Sequence, residues 1–289
     1  MKLSIITINR NNSAGLEKTC QSVVCQTFED FEWLVIDGAS NDNSVDIIKK
    51  YAHKITYWIS EPDTGVYNAM NKGIRKAQGE YCLFLNSGDW LISSSTLESV
   101  FNEIKGIPPS DIYYSDKIDS DNGFTYYPTK LTLNYLFDSP ISHQNSLIRR
   151  SLFIEHGYYN ESLKISSDWE FFLNELWKYK TGFSYLETNI SVYDTHGISS
   201  IDSPERANEI IMVYKDVFYE LADVIMEMYN FRRTIYYDII KNYGTTPRLT
   251  FILRLYRKTI KIIRRITCFF TNHTKKISNK EKITNPRWI

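Results

Sequence analysis

Glu80-Tyr-Cys-Leu-Phe-Leu85, followed at once by Asn86-Ser-Gly-Asp89, is the stretch on which the reading of this chain turns. The first six residues are an apolar run of strand length. The next four are small, polar and glycine-containing, and Trp90-Leu-Ile92 and a helical pattern come after them. A strand that stops in such a turn leaves its one carboxylate, Asp89, at the carboxyl edge of the sheet, where open α/β sheets bind ligands. A hard divalent cation takes oxygen ligands, and Mg²⁺ commonly uses one or two carboxylates together with substrate phosphates. Asp89 therefore reads as a metal ligand under a diphosphate. Taken alone, the four residues also suit a plain helix-capping turn.

The same unit recurs upstream. Strands are predicted at Lys2–Ile8, Phe31–Ile36 and Ile55–Ile59, and helices at Ser13–Gln26, Val45–Tyr51 and Val66–Ala77. Strand and helix alternating through short connections imply a mostly parallel sheet with right-handed crossovers. Each strand runs into a polar loop: Thr7–Asn12, Asp37–Asp42, Ser60–Gly65, Asn86–Asp89. In a parallel sheet these loops share one rim, so Asp37, Asp63 and Asp89 converge on one crevice. Like charges gathered there call for a cation to offset them.

Downstream, the pattern gives a helix at Leu97–Ile104, a strand at Asp111–Ser115 and a hairpin within 116–130, turned at Asp121-Asn-Gly123. Its Phe124, Tyr126 and Tyr127 are expected to pack across strands rather than flank a ligand. Ile141-Ser-His-Gln-Asn145 precedes a strand at Ser146–Ile148; His143 reads as a hydrogen-bonded wall residue or as an acceptor contact. Ser166-Ser-Asp-Trp-Glu170 opens a helix at Asp168–Tyr179, with serines suited to N-capping and acids suited to the first turn. Closing strands at Phe183–Leu186 and Ile190–Tyr193 lead into the loop Asp194–Ser200. Helical patterns follow at Glu205–Asn230 and Phe231–Tyr243.

The chain has 289 residues and zero formal net charge, but the charge is divided. From Gly244 onward there are 12 Lys/Arg and one acid, leaving 22 basic against 33 acidic residues before it. An acidic body argues against nucleic acid as a partner. Along Leu249–Phe270 cations recur every three or four positions, with Ile252, Leu255, Ile262 and Ile266 opposite them. A helix there, about 33 Å long, suits an anionic membrane surface through residues 246–270, or else packs on the acidic body. No stretch of about 20 apolar residues is present, so no membrane span is expected. The apolar start is too short for a signal peptide. The four cysteines fit neither a metal spacing nor a disulfide framework, which points to the cytoplasm.

Four ordered blocks carry a resemblance. Ser4-Ile-Ile-Thr7, Val35-Ile-Asp-Gly-Ala-Ser40, the run from Ser60 to Gly73, and Gly79 to Asp89 resemble the family 2 glycosyltransferases over roughly residues 1–200. The resemblance implies a GT-A fold, α/β and Rossmann-like, with a C-terminal helical extension. It divides the chain into a catalytic domain at 1–203, a helical extension at 204–245 and a basic helix and tail at 246–289. It implies an inverting enzyme that uses Mn²⁺ or Mg²⁺ and a nucleotide-diphosphate sugar. The acceptor would be a saccharide or lipid-linked saccharide in bacterial surface polysaccharide assembly.

By the same resemblance, Thr7 and Asp37 line the base and ribose pocket, and Arg10 stands where the family often has Tyr. Asp63 shapes the floor of the nucleotide site. Asn86 and Asp89 form a variant of the family's Asp-x-Asp signature. Asp168 is the catalytic base, with Glu170 as second choice, and His196 reaches a phosphate oxygen or the metal. Arg287-Trp288 lacks the preceding Gln of processive members, since Thr284 stands in its place. The implied location is cytoplasmic, peripheral on the inner face of the cell membrane. Two other readings stand beside this one. A nucleotidyltransferase would be expected to carry a Gly- and Lys/Arg-rich loop after the first strand, and Thr7–Asn12 has neither a Gly nor a Lys. A membrane-surface adaptor would keep the fold without the chemistry.

Overall fold

The computed structural model describes residues 1–121, 123–195 and 204–219. Residues 1–213 form one unit, and a second opens at Tyr214. The first unit begins β1 (Leu3–Asn9), α1 (Ser13–Val24), β2 (Phe31–Asp37), α2 (Ser44–Tyr51), β3 (Tyr57–Ser60), α3 (Val66–Lys76) and β4 (Tyr81–Phe84). Strands β1 and β4 are buried along their whole length, and β2 everywhere but its first residue. Such continuous apolar runs are what a sheet covered on both faces requires. Parallel pairing of β1 with β2 sets Asn9 beside Asp37, so the two loops start level with each other.

The chain continues through β5 (Trp90–Leu91), α4 (Thr96–Lys105), β6 (Ile112–Tyr114), β7 (Lys117–Asp119), β8 (Phe124–Thr125) and α5 (Leu133–Asp138). Then come a one-turn 3₁₀ helix (His143–Asn145), β9 (Ser146–Arg149), α6 (Arg150–Glu155), α7 (Ser167–Asn174), β10 (Phe183–Tyr185), β11 (Ser191–Tyr193) and α8 (Pro204–Val217). Seven strands form the main sheet in the order β10-β6-β9-β4-β1-β2-β3. Only β9 runs against its neighbours, so the sheet is mostly parallel, as the alternation implied.

A second sheet has the order β5-β11-β7-β8. It is the smaller of the two, yet Asp89 and Asp194 flank its strands at the site. Strand β5 leaves directly after Asp89, and β11 pairs with it antiparallel, Val192 beside Trp90. Extending that register by two residues brings Asp194 opposite Gly88. The expected hairpin is present as β7 and β8, joined antiparallel.

Three local outcomes differ from the sequence reading. The short helices α5 and α6 and the two-residue β5 carry too little periodicity to be read from the chain. The helix expected to run to Tyr179 stops at Asn174 and goes on as a π-helical turn, Glu175–Tyr179, closed by Lys180 in the left-handed region at φ 58°. The buried Glu175 carboxylate explains the change, since it is drawn to His156 Nδ1 at 2.9 Å and to the Thr181 hydroxyl. Ser166 precedes α7 without capping it through its side chain, while the Ser167 hydroxyl accepts from Asn160 N–H at 2.6 Å.

His196, the helical pattern at Phe231–Tyr243 and the basic stretch 246–270 lie outside the described residues. Among the described residues no helix is long and apolar enough to cross a membrane.

Candidate active site

The strand ends of β1, β3 and β4, the start of α3, the 3₁₀ turn, the start of α7 and the end of β11 surround a cleft of about 500 Å³. Arg10, Asp63, Asn86, Asp89 and Asp168 all line it. So do Tyr67, His143, Gln144 and Asp194, to which the sequence assigned no settled catalytic role.

Thr7 and Asp37 are not in this lining. Both are fully buried beneath the rim. Thr7 Oγ1 accepts from the Trp33 indole N–H at 3.0 Å. Asp37 Oδ1 accepts from Asn9 Nδ2 at 2.7 Å and Ser40 Oγ at 2.6 Å. Its Oδ2 accepts from Ser60 Oγ at 2.6 Å and the Ser40 N–H at 2.9 Å. A carboxylate has about four lone-pair positions, so none is left for a ribose. Burial by itself raises this carboxyl, but the Ser40, Ser60 and Asn9 hydrogen bonds outweigh it and hold Asp37 below the usual range. Asp37 ties the loops of three strands together.

The carboxylate that does line the cleft beside this loop is Asp63. It lies against Gly38, in space that a side chain on residue 38 would need. Its Oδ1 accepts from the Gly65 N–H at 3.1 Å and lies 3.8 Å from Arg10 Nη1. The Arg10 side chain remains 64% exposed, available to lie over a planar ligand.

Asp89 is 3% exposed. Its turn is pinned from α1: Thr19 Oγ1 donates to Asp89 O at 2.7 Å and accepts from the Gly88 N–H at 3.0 Å. One carboxylate oxygen, Oδ1, accepts the Asp194 N–H at 2.8 Å. Burial pushes the Asp89 carboxyl up to about 7 against the pull of that N–H, His143 and Gln144, and the Asp194 charge adds to the rise. A buried carboxylate beside a second acid is what a cation would relieve. Oxygen donors are also the right chemistry for Mg²⁺ or Mn²⁺. Among the described residues no three His, Cys, Asp or Glu side chains form a group able to hold an ion. Asp89 and Asp194 therefore fit an ion completed by ligand phosphates, not a closed protein cage.

Asp168, in the same lining, sits in the first turn of α7. Its Oδ1 lies 2.9 Å from the Tyr67 hydroxyl and accepts the Trp169 N–H at 2.9 Å; its Oδ2 lies 2.7 Å from His143 Nδ1. Burial raises this carboxyl, but hydrogen bonding and charge from His143, then Tyr67 and Trp169, hold it below the usual range. Glu170 is buried outside the cleft lining and accepts from Asn160 Nδ2 at 3.3 Å. The loop leading to Asp168 is fixed by Glu209 of α8, which accepts the N–H groups of Lys164, Ile165 and Ser166 at 2.6, 2.9 and 3.0 Å.

A crevice lined by acids at the carboxyl edge of a mostly parallel sheet is where open α/β folds bind their ligands. Known proteins make this specific. Residues 4–164, more than half of the chain, match the model of glycosyl transferase family 2. The chain belongs to that family and is a glycosyltransferase. A PGL/p-HBAD biosynthesis glycosyltransferase of Mycobacterium bovis is 35% identical over 171 residues, 58% of this chain and 67% of that protein. The cholesterol galactosyltransferase of Borreliella burgdorferi is 34% identical over 106 residues, 36% of this chain and 29% of that protein. Among solved structures, S. aureus TarS 1-349 in complex with UDP superposes at TM-score 0.60 and 22% identity, over 74% of this chain and 64% of that one. The mannosyltransferase PcManGT of Pyrobaculum calidifontis, in complex with GDP-Man and Mn²⁺, superposes at 0.59 and 12% identity, over 90% and 80%. The fold is that of the GT-A glycosyltransferases.

Proposed function

We propose that this chain is an inverting, metal-dependent transferase that moves one sugar from a nucleotide-diphosphate sugar to a hydroxyl of a saccharide or lipid-linked saccharide. The surface glycans and glycolipids of bacteria are the intended products. The reading is carried by one observation: Asp89 and Asp168, acids with opposite pKa displacements, line the same cleft. Two carboxyls pushed apart by their surroundings take different roles.

Asp89 and Asp194 would hold the cation, which supplies Lewis-acid stabilisation to the departing diphosphate. Asp63 and Arg10 border the nucleotide end. Asp168, kept ionised, accepts the acceptor's hydroxyl proton as that oxygen bonds to the anomeric carbon and the bond to the diphosphate oxygen breaks. In-line attack on the face of the sugar away from the leaving group would invert the anomeric centre. Relatives and neighbours support the class of donor and product: TarS has been solved with UDP-GlcNAc and PcManGT with GDP-Man and Mn²⁺, and the mycobacterial relative is named for glycolipid-type biosynthesis.

The test is incubation with a panel of nucleotide sugars and Mn²⁺, following slow hydrolytic release of the nucleoside diphosphate. Catalytic release with one donor, lost in both Asp89→Ala and Asp168→Asn, is the expected result. Only Asp89→Ala should weaken metal-dependent donor binding. Equal donor affinity in Asp89→Ala and wild type contradicts the metal site, and silence with every donor favours the adaptor.

A further inference from the structure

We propose that His143 is the positioning residue for Asp168, donating from Nδ1 so that a single lone pair of Oδ2 is presented to the acceptor hydroxyl. The proposal rests on Asp168 being the base. It starts from a count of hydrogen-bond positions. Of about four on an ionised carboxylate, Oδ1 gives two to the Tyr67 hydroxyl and the Trp169 N–H, and Oδ2 gives one to His143 Nδ1. One position remains, on Oδ2.

The three donors are not equal. Tyr67 has a single hydroxyl proton and also lies 2.7 Å from the Ile165 carbonyl, so its donation is divided. Trp169 donates from the adjacent peptide, whose direction is set by the helix backbone. The His143 N–H goes to Asp168, and its ring is braced edge-on by Phe84, with centroids 6.1 Å apart. On the far side of the ring Nε2 lies 3.3 Å from Asn86 Nδ2, an amide nitrogen that can only donate. An ionised carboxylate can only accept, so Nδ1 carries the proton that Asp168 receives, in the Nδ1–H tautomer and in the imidazolium alike. The roles are therefore the reverse of a serine-protease triad, in which the carboxylate stands behind and Nε2 is the base. Here the imidazole stands behind and the carboxylate meets the substrate. When the acceptor proton passes to Oδ2, His143 keeps its own, so the step balances without any change of charge on the ring.

Paired amides test this. His143→Asn puts an amide nitrogen near the Nδ1 position, and His143→Gln puts one near Nε2. His143→Asn should keep kcat within about fivefold of wild type, while His143→Gln should lower it about 10- to 100-fold, the usual cost of losing an orienting partner. KM for the donor should stay within about twofold in both. The acid limb of kcat should move to higher pH in His143→Gln, because Asp168 loses its main stabilising donor while the other groups facing the pair, Asp89, Tyr67 and Tyr159, stay in place. A wall residue that only filled space would lower kcat without moving that limb. The proposal is overturned by an unmoved limb in His143→Gln, by equal losses in the two variants, or by a donor-affinity loss as large as the kcat loss. Tyr67→Phe is an independent arm, useful should the Gln variant not fold: removing the divided donor should lower kcat less than His143→Ala, which removes the undivided one, and a larger loss overturns the ranking. Turnover retained by Asp168→Asn sinks the base itself, whereas a dead Asp168→Asn beside a normal His143→Gln sinks His143 alone.

Discussion

An oxygen of the Asp194 carboxylate lies 2.5 Å from the place a Cβ on Gly88 would take. Gly88 holds φ at 108°, a conformation that L side chains rarely adopt, so glycine is required on two counts. The same device recurs at Gly38, where the Asp63 carboxylate lies in the corresponding space. At both points one strand's loop omits a side chain and another loop supplies an acid. Gly88→Ala should displace Asp194 and strain the turn by about 1–3 kcal/mol. Calorimetry should then show donor affinity reduced in the presence of Mn²⁺ and little changed in its absence. Equal affinity under both conditions would show that Asp194 has no part in holding the ion.

Asp89 makes a pH prediction of definite sign. Its carboxyl is raised from 3.8 to about 7 in the folded chain. Between those values the folded state binds more protons than the unfolded state, so stability falls as pH rises through the window. Above it the whole penalty is present, at most about 4 kcal/mol at roughly 1.4 kcal/mol per unit. With a chelator present, Asp89→Asn should therefore melt above wild type at about pH 8 and converge with it as the pH falls toward 4. Thermal melts across that range check it, and a lower melting temperature for the variant at high pH would refute it.

Glu209 accepts three consecutive backbone N–H groups ahead of α7. Glu209→Ala leaves those donors without their carboxylate and should cost about 2–4 kcal/mol, or roughly 5–10 °C in melting temperature. Glu209→Gln keeps one acceptor and should cost less. Because Ile165 and Ser166 lead directly to Asp168, kcat should fall while donor affinity holds, and a loss of donor affinity alone would place the effect elsewhere.

The basic stretch is tested separately. Deleting residues 246–289 should move the protein from the membrane fraction to the soluble fraction if residues 246–270 form a surface helix. Partition unchanged by the deletion, or by adding salt to the full chain, rules that role out.

Much of this architecture was legible in the chain. The buried runs Leu3–Asn9, Phe31–Asp37 and Tyr81–Phe84 announce covered parallel strands, because a strand buried on both faces has no polar alternation to keep. Parallel strands also send all their carboxyl ends to one rim, so Asp63 and Asp89 were brought together by local pattern and handedness alone. Asp168 followed from a helix start and a family resemblance.

Which acids face the cleft was decided only in three dimensions. Asp37 reads in sequence just as Asp63 does, yet four donors from three loops consume it, while Asp63 stays at the rim above Gly38. Asp194 became a site residue through the antiparallel register of β11, a strand the sequence did predict, with the two-residue β5 about a hundred residues away, which is too short to be read. His143, which the sequence marked as a hydrogen-bonded wall residue or an acceptor contact, and Tyr67, which it did not mark, reach Asp168 from separate elements, and the sequence names that partner for neither. Strand periodicity is a property of adjacent residues, whereas the partner of a buried carboxylate is set by whichever distant group the packed loops bring within hydrogen-bond reach.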